Sequence, residues 1–334
     1  MRPITLPDVP YDATAVRPDW SDLPDGLRKA IGLRLGSPVS AARSAGGGFT
    51  RSFAAVLETE AGTSVFAKAA PLNDPVSQWY AREATLTTAL PPEVTAARPL
   101  WTMTDSDWFV LCLPAIDGRI PALPWSQEDL DATLRTWSAA ATALAYPSPP
   151  LLEIGVPALP DILRDEMSWW SLIAARRAPM PEPALSTIAP HRLADLARLE
   201  RALPPLTAGE GLCHGDLRVD NVLVDRDGRA WLCDWTWPCL GAPWFDTVTL
   251  LVSAYASGLD TDAVLRAWGA PDEGVDGALA ALAGYWLTRA GDGPGSASPH
   301  SRQHQRFSGE QALAWLAERR GWDGAPVRRR WFRR

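Results

Sequence analysis

Lysine is nearly absent from these 334 residues: of 32 basic side chains only Lys29 and Lys68 are not arginine. Asparagine is as rare, at Asn73 and Asn221. A chain that writes generic positive charge as arginine keeps a lysine where a compact ammonium on a flexible stem is needed, so Lys68 and Asn221 stand out before any motif does. The four cysteines, Cys112, Cys213, Cys233 and Cys239, form no CxxC pair and have no secretory context. They read as small buried hydrophobes rather than as disulfides or zinc ligands. No apolar run reaches the roughly 18 residues that a membrane span requires; the best candidate, Val248 to Ala256, is broken by Thr249, Ser253 and Tyr255. The stretch from Met1 to Trp20 carries Asp8, Asp12 and Asp19 among prolines and no apolar segment, so no signal peptide is expected and the cytoplasm is the default location.

What is present is an acidic body. The formal net charge is −7, but five of the last seven residues, Arg328 to Arg334, are arginines. Without them 27 basic residues face 39 acidic ones, which disfavours nucleic acid as a partner and favours a cationic ligand. The tail is expected to lie on the acidic body. His300 and His304 have the i, i+4 spacing of a helical metal pair, but without an acidic or cysteine partner nearby they read as a polar helix face.

Periodicity divides the chain. A short helix fits Leu23 to Leu35, and strands fit Pro38–Arg43, Ser52–Thr59 and Ser64–Ala69, the last two joined by the turn Glu60-Ala61-Gly62-Thr63. Asp74 and Pro75 start a helix that Pro91 stops, and two more strands fit Pro99–Thr104 and Trp108–Leu113. Beyond Gly118 the pattern turns helical: from Ser126, a cap, to Ala145, then Asp161–Arg177, His191–Leu203, Phe245–Ser257, Asp262–Trp268, Gly277–Ala290 and Gln303–Arg320. Two short strands, Val222–Val224 and Ala230–Cys233, flank Asp225-Arg226-Asp227-Gly228, and Gly291 to Pro299 reads as a mobile loop. The expected fold is α+β: a small lobe of five strands and one main helix over residues 1–117, then a larger helical lobe over 118–334, with a cleft between them.

The strongest chemical signal is His214-Gly215-Asp216-Leu217-Arg218-Val219-Asp220-Asn221, followed by Asp234-Trp235 after a strand–turn–strand. Phosphoryl transfer needs a carboxylate to take the attacking hydroxyl's proton, oxygen ligands for a metal, and cations that orient phosphates. Asp216 followed five residues later by Asn221 has the spacing of a kinase catalytic loop, and Asp234 offers a second metal-ligating oxygen. In the small lobe, Val65-Phe66-Ala67-Lys68 puts Lys68 on one face of a strand, and Glu83 on the next helix is its natural ion-pair partner.

These residues resemble the aminoglycoside phosphotransferase and choline kinase-like family, relatives of protein kinases, over residues 38 to 320. The resemblance implies a bilobal protein-kinase-like fold. It implies Asp216 as catalytic base, Asn221 and Asp234 as Mg²⁺ ligands, and Lys68, paired with Glu83, as the cation on the α- and β-phosphates of ATP or GTP. His214 then supports the loop by hydrogen bonding, and Asp246 braces it. Gly46, Gly47 and Gly48 stand where a glycine-rich loop covers the nucleotide, and Leu113 and Ala115 flank Pro114 at the hinge that meets the base. The expected activity is Mg-dependent transfer of the γ-phosphate to a hydroxyl of a small molecule, an antibiotic of aminoglycoside or nucleoside type, giving resistance. No nucleic acid or membrane partner is expected. A metabolite kinase of choline or homoserine kinase type is an alternative. A nucleotide-binding pseudokinase is another, although none of Lys68, Asp216, Asn221 or Asp234 is missing. Residues 118 to 327 hold 26 acidic and 17 basic residues, which suits a polycation, yet 13 of 17 tryptophans also lie beyond residue 117 and suit a flatter ligand.

Overall fold

Alternation along one strand explains most of the small lobe. In β3 (Ser64–Pro71), Val65, Ala67 and Ala69 face one side and Phe66, Lys68 and Ala70 the other. The first set packs with Leu27 and Ile31 of α1 (Asp25–Leu35); the second, apart from Lys68, packs with Tyr80 and Ala84 of α2 (Pro75–Ala89). In this computed structural model, which describes residues 3–181, 192–293 and 297–322, β3 lies at the centre of a five-stranded antiparallel sheet. The order is β1 (Val39–Ser44), β2 (Phe53–Thr59), β3, β5 (Trp108–Pro114), β4 (Trp101–Asp105). α2 starts as its sequence predicts: Asp74 accepts from the Val76 N–H at 2.9 Å and Pro75 fills the first turn.

The second lobe is helical with short strands. It runs through β6 (Gly118–Arg119), α3 (Gln127–Ala143), α4 (Pro149–Glu153), α5 (Leu159–Asp165), α6 (Trp169–Ala174) and α7 (Arg192–Leu206). It continues with β7 (Leu212–Cys213), β8 (Val222–Asp225), β9 (Ala230–Leu232), β10 (Cys239–Leu240), α8 (Trp244–Ala256), α9 (Thr261–Ala267), α10 (Asp272–Ala290) and α11 (His300–Arg319). α10 packs on α7 and α11, and Trp137, Trp170, Trp235 and Trp315 are fully buried, so these four tryptophans are core. The whole is α+β and bilobal, as expected.

Two expectations need correction. The helix expected over Asp161–Arg177 is two helices, α5 and α6. Ser168 turns its hydroxyl back to the carbonyls of Leu163 and Arg164, and Glu200 of α7 accepts from the Trp170 and Ser171 N–H groups at 3.0 and 2.8 Å. A long-range carboxylate starts α6, which no local pattern announces. His304 does not lie on a polar face: it is buried, and its Nδ1 meets the Tyr11 hydroxyl at 2.7 Å. Of the loop expected to be mobile over Gly291–Pro299, residues 294–296 lie outside the described residues; beyond them the Ser298 N–H donates to Phe49 O (2.7 Å) and its hydroxyl to Thr14 O (2.6 Å). The Arg328–Arg334 tail lies outside the described residues.

The chain's first residues form a strap across both lobes. The Thr5 N–H donates to Ala256 O in α8, Tyr11 sits in the helical-lobe core, and the Ala15 N–H donates to Gly46 O below the sheet. Residues 5–14 fall on the sheet side of the division expected at residue 117, yet they pack against the helical lobe.

Candidate active site

Lys68 leaves β3 on the cleft face and meets Glu83 of α2 with both carboxylate oxygens, at 2.9 and 2.7 Å. Its ammonium lies 3.7 Å from Asp234 and 5.4 Å from the Tyr80 ring centre. Burial disfavours the Lys68 charge, but Glu83 and Asp234 outweigh it and raise the pKa, so the ammonium stays charged. Asp234 shows the same competition with the opposite sign: burial alone would raise it, and Lys68 with the Thr236 hydroxyl (2.7 Å) holds it below the ordinary carboxylate range. Its φ of +61° is a left-handed conformation that a non-glycine residue adopts only when its surroundings enforce it.

Across the cleft, the segment from His214 to Asn221 is pinned from behind. Asp246, at the start of α8, accepts from the N–H groups of His214 (2.7 Å) and Gly215 (3.0 Å). Burial pushes its pKa up to about 7, against the backbone donors. His214 is fully buried, its Nε2 bonds Cys233 O at 2.9 Å, and burial lowers its pKa to about 4. His214 and Asp246 therefore hold the loop, as the sequence suggests. Gly215 has φ +80°, and a Cβ there would stand 1.8 Å from Trp237 O, so no other residue fits.

Leu217 and Val219 point into the core, which turns Asp216, Arg218 and Asp220 the other way. Arg218 is the residue that the sequence reading passed over. It grips Asp220 with two nitrogens at 3.0 and 2.9 Å, donates a third to Asp216 and lies 5.7 Å from the Phe49 ring centre. The alternation of opposite charges at 216, 218 and 220 between apolar residues was the available signal. Asn221 donates to the Asp216 carbonyl (2.7 Å) and to its Oδ2 (3.2 Å). Burial pushes Asp216 up to about 6, with Arg218 opposing and Asp220 and Asp234 reinforcing.

Lys68, Glu83, Asp216, Asn221, Asp234 and Gly46 to Gly48 all line one cavity of about 1590 Å³ between the lobes. A single ligand typically occupies 300–1,000 Å³, so this volume has room for two. Leu113 lines it, as do Pro114 and Ile116; Ala115 does not. The glycine cluster has a local reason to lack side chains: a Cβ on Gly46 would lie 2.0 Å from Asp12 O of the strap. Arg17 ties the same loop down, donating to Gly47 O and Ser52 O at 2.9 Å and to Thr50 at 3.1 Å. The cysteines are free thiols; Cys213 and Cys239 face each other in β7 and β10, their mutual contact and burial raising Cys213.

No group of three or more His, Cys, Asp or Glu side chains among the described residues converges on a metal position. One carboxylate and one amide are nevertheless the kind of donor set that suits Mg²⁺, which keeps several waters and takes phosphate oxygens as ligands. Asn221 uses its NH₂ on Asp216, which leaves its carbonyl oxygen as the atom that could ligate, and Lys68 with Thr236 holds Asp234 below the ordinary carboxylate range. The residues present fit that ion.

Comparison with known proteins agrees with this fold. No curated protein matches the chain. Among solved structures, the chain is similar to aminoglycoside phosphotransferase APH(4)-Ia in ternary complex with ADP and hygromycin B, at 13% identity and a TM-score of 0.59, covering 89% of this chain and 99% of that one. It is also similar to the choline kinase LicA from Streptococcus pneumoniae (14% identity, TM-score 0.52, 87% and 98% covered). A third is the macrolide 2'-phosphotransferase MphH from Brachybacterium faecium (17%, 0.50, 84% and 96%). At these identities the likeness shows the fold. The family model described as phosphotransferase enzyme family matches residues 42–285, well over half of the chain, and spans Lys68, Glu83, Asp216, Asn221 and Asp234. The chain belongs to the phosphotransferase enzyme family.

Proposed function

We propose that this small-molecule phosphotransferase moves the γ-phosphate of ATP or GTP to a hydroxyl of an antibiotic, so that the modified drug no longer acts. The observation that carries the reading is one cleft in which the Lys68–Glu83 pair stands 3.7 Å from Asp234 and faces the Asp216–Asn221 loop. Lys68 orients the α- and β-phosphates, and Asn221 and Asp234 hold Mg²⁺. When bound, that ion supplies charge neutralisation for the phosphate oxygens. Gly46 to Gly48 cover the nucleotide, and the hinge at Leu113 meets its base. Asp216 accepts the proton of the attacking hydroxyl as the new O–P bond forms and the bond to the β-phosphate oxygen breaks, then releases that proton to water. Arg218, anchored by Asp220, keeps Asp216 ionised and aimed.

The test is incubation with ATP or GTP, Mg²⁺ and a panel of hydroxyl-bearing antibiotics, read by mass. A product heavier by one phosphoryl group, absent without Mg²⁺, is the expected result. A panel that includes choline and homoserine separates the metabolite kinase alternative.

A further inference from the structure

We infer that the acceptor is a largely apolar hydroxyl compound carrying no more than one positive charge, and not a polycation; this deepens the phosphotransferase reading and rests on it. The acidic surplus of the helical lobe points the other way until its carboxylates are located. Asp262, Asp272 and Asp276 surround Arg319, Asp129 holds Arg119, Glu200 caps α6 and Asp246 lies behind Gly215. All of these carboxylates are engaged in the fold, and none lines the cavity.

Where α5 and α10 of the helical lobe line the cavity, its surface is different. Ile162, Met167, Leu282, Tyr285 and Trp286 form this wall, while half-exposed Trp237 lines the cavity edge-on to Trp79 of α2. Of the carboxylates there, Asp216 and Asp220 are held by Arg218. Glu166 is exposed and forms no ion pair among the described residues, and Arg302 lines the same side with opposite charge. Burial raises the Tyr285 pKa, with Arg289 opposing and the charges of Asp216 and Glu166 reinforcing. Arg289 stacks 5.6 Å from the centres of both Tyr285 and Trp169, which extends the aromatic surface outward.

A ligand with three or four ammonium groups needs a carboxylate for each one that leaves water, because an unpaired buried charge is heavily penalised. Among the described residues, this wall offers one carboxylate without an ion pair, Glu166. It offers instead broad ring faces that match an apolar or flat acceptor. The space left beside a nucleotide in a cavity of about 1590 Å³ admits a large one.

The test is titration calorimetry on the full chain saturated with Mg²⁺ and AMP-PNP, using erythromycin A (one tertiary amine), uridine (uncharged) and kanamycin A (four amines). Erythromycin A or uridine should bind, and should gain a phosphoryl group when ATP replaces AMP-PNP; kanamycin A should bind at least a hundredfold more weakly. Glu166→Gln should weaken erythromycin A roughly tenfold, one lost charge pair, and leave uridine and AMP-PNP unchanged. Kanamycin A binding as tightly as the others overturns the inference, and so does binding by none of the three while AMP-PNP binds. Failure of AMP-PNP itself to bind overturns the phosphotransferase reading and takes the inference with it.

Discussion

Asp216 has a different donor on each carboxylate oxygen, Arg218 on one and Asn221 on the other. An acceptor hydroxyl must share one of these oxygens, so the side chain has to remain an acceptor. Asp216→Asn is expected to lower turnover by about 10²- to 10⁴-fold, the usual worth of a general base, while Mg–nucleotide affinity stays close to wild type. Single-turnover assays beside equilibrium nucleotide binding check this, and retained turnover would rule out the assigned base. Lys68→Arg tests the small lobe. The planar fork cannot keep one nitrogen between both Glu83 oxygens and also 3.7 Å from Asp234. Turnover should fall on the order of 10²-fold, as for an ångström-scale misplacement, with Lys29→Arg on the exposed face of α1 silent. Both residues were legible in the sequence because each sits in a short motif whose spacing is set by local backbone. Arg17 was not: it belongs to no motif and reaches the glycine loop only through tertiary packing.

At the level of elements, strands and helices with a one-sided apolar pattern were readable, and the ends of α2 and α3 followed from Asp74 and Ser126. What escaped were two-residue strands such as β7 and β10, too short for any period, and the break between α5 and α6. That break depends on Glu200, thirty positions away. Glu200→Ala should leave two N–H groups at the start of α6 without their acceptor and cost about 1–3 kcal/mol. Urea unfolding of the variant beside wild type measures this. A change within error would mean that water replaces the carboxylate and that the break has another cause.

For the whole molecule, the joint between the lobes is a cluster of rings from distant elements. His304 stacks on Phe49 at 4.9 Å, meets Trp286 edge-on at 6.1 Å, and bonds the Tyr11 hydroxyl. Burial lowers its pKa to about 3, with Arg218 adding to the effect and Asp220 opposing it. The folded value lies below the ordinary one of 6.5, so the unfolded chain takes the proton first as pH falls. The stability that neutral His304 contributes is complete above about 6.5 and lost progressively toward 3. The loss of unfolding free energy between pH 7 and pH 5 should therefore shrink in His304→Gln, which has no proton to gain. Denaturant titrations at the two pH values decide it; an unchanged loss would mean that His304 is not what the acid attacks.

The strap also sets an order of events during synthesis. Tyr11 and His304 are 293 positions apart, so the first leaves the ribosome long before its partner exists. The sheet, α1 and α2 rest largely on contacts made within the first 114 residues and can form early. The glycine loop cannot, because Asp12, Ala15 and Arg17 must reach it from a segment whose other anchors, Ala256, Ser298 and His304, emerge later. The nascent chain thus carries a sheet-rich lobe with an unfinished glycine loop for most of its translation, and, if that loop covers the nucleotide as proposed, competence to bind it arrives only with the helix that bears His304.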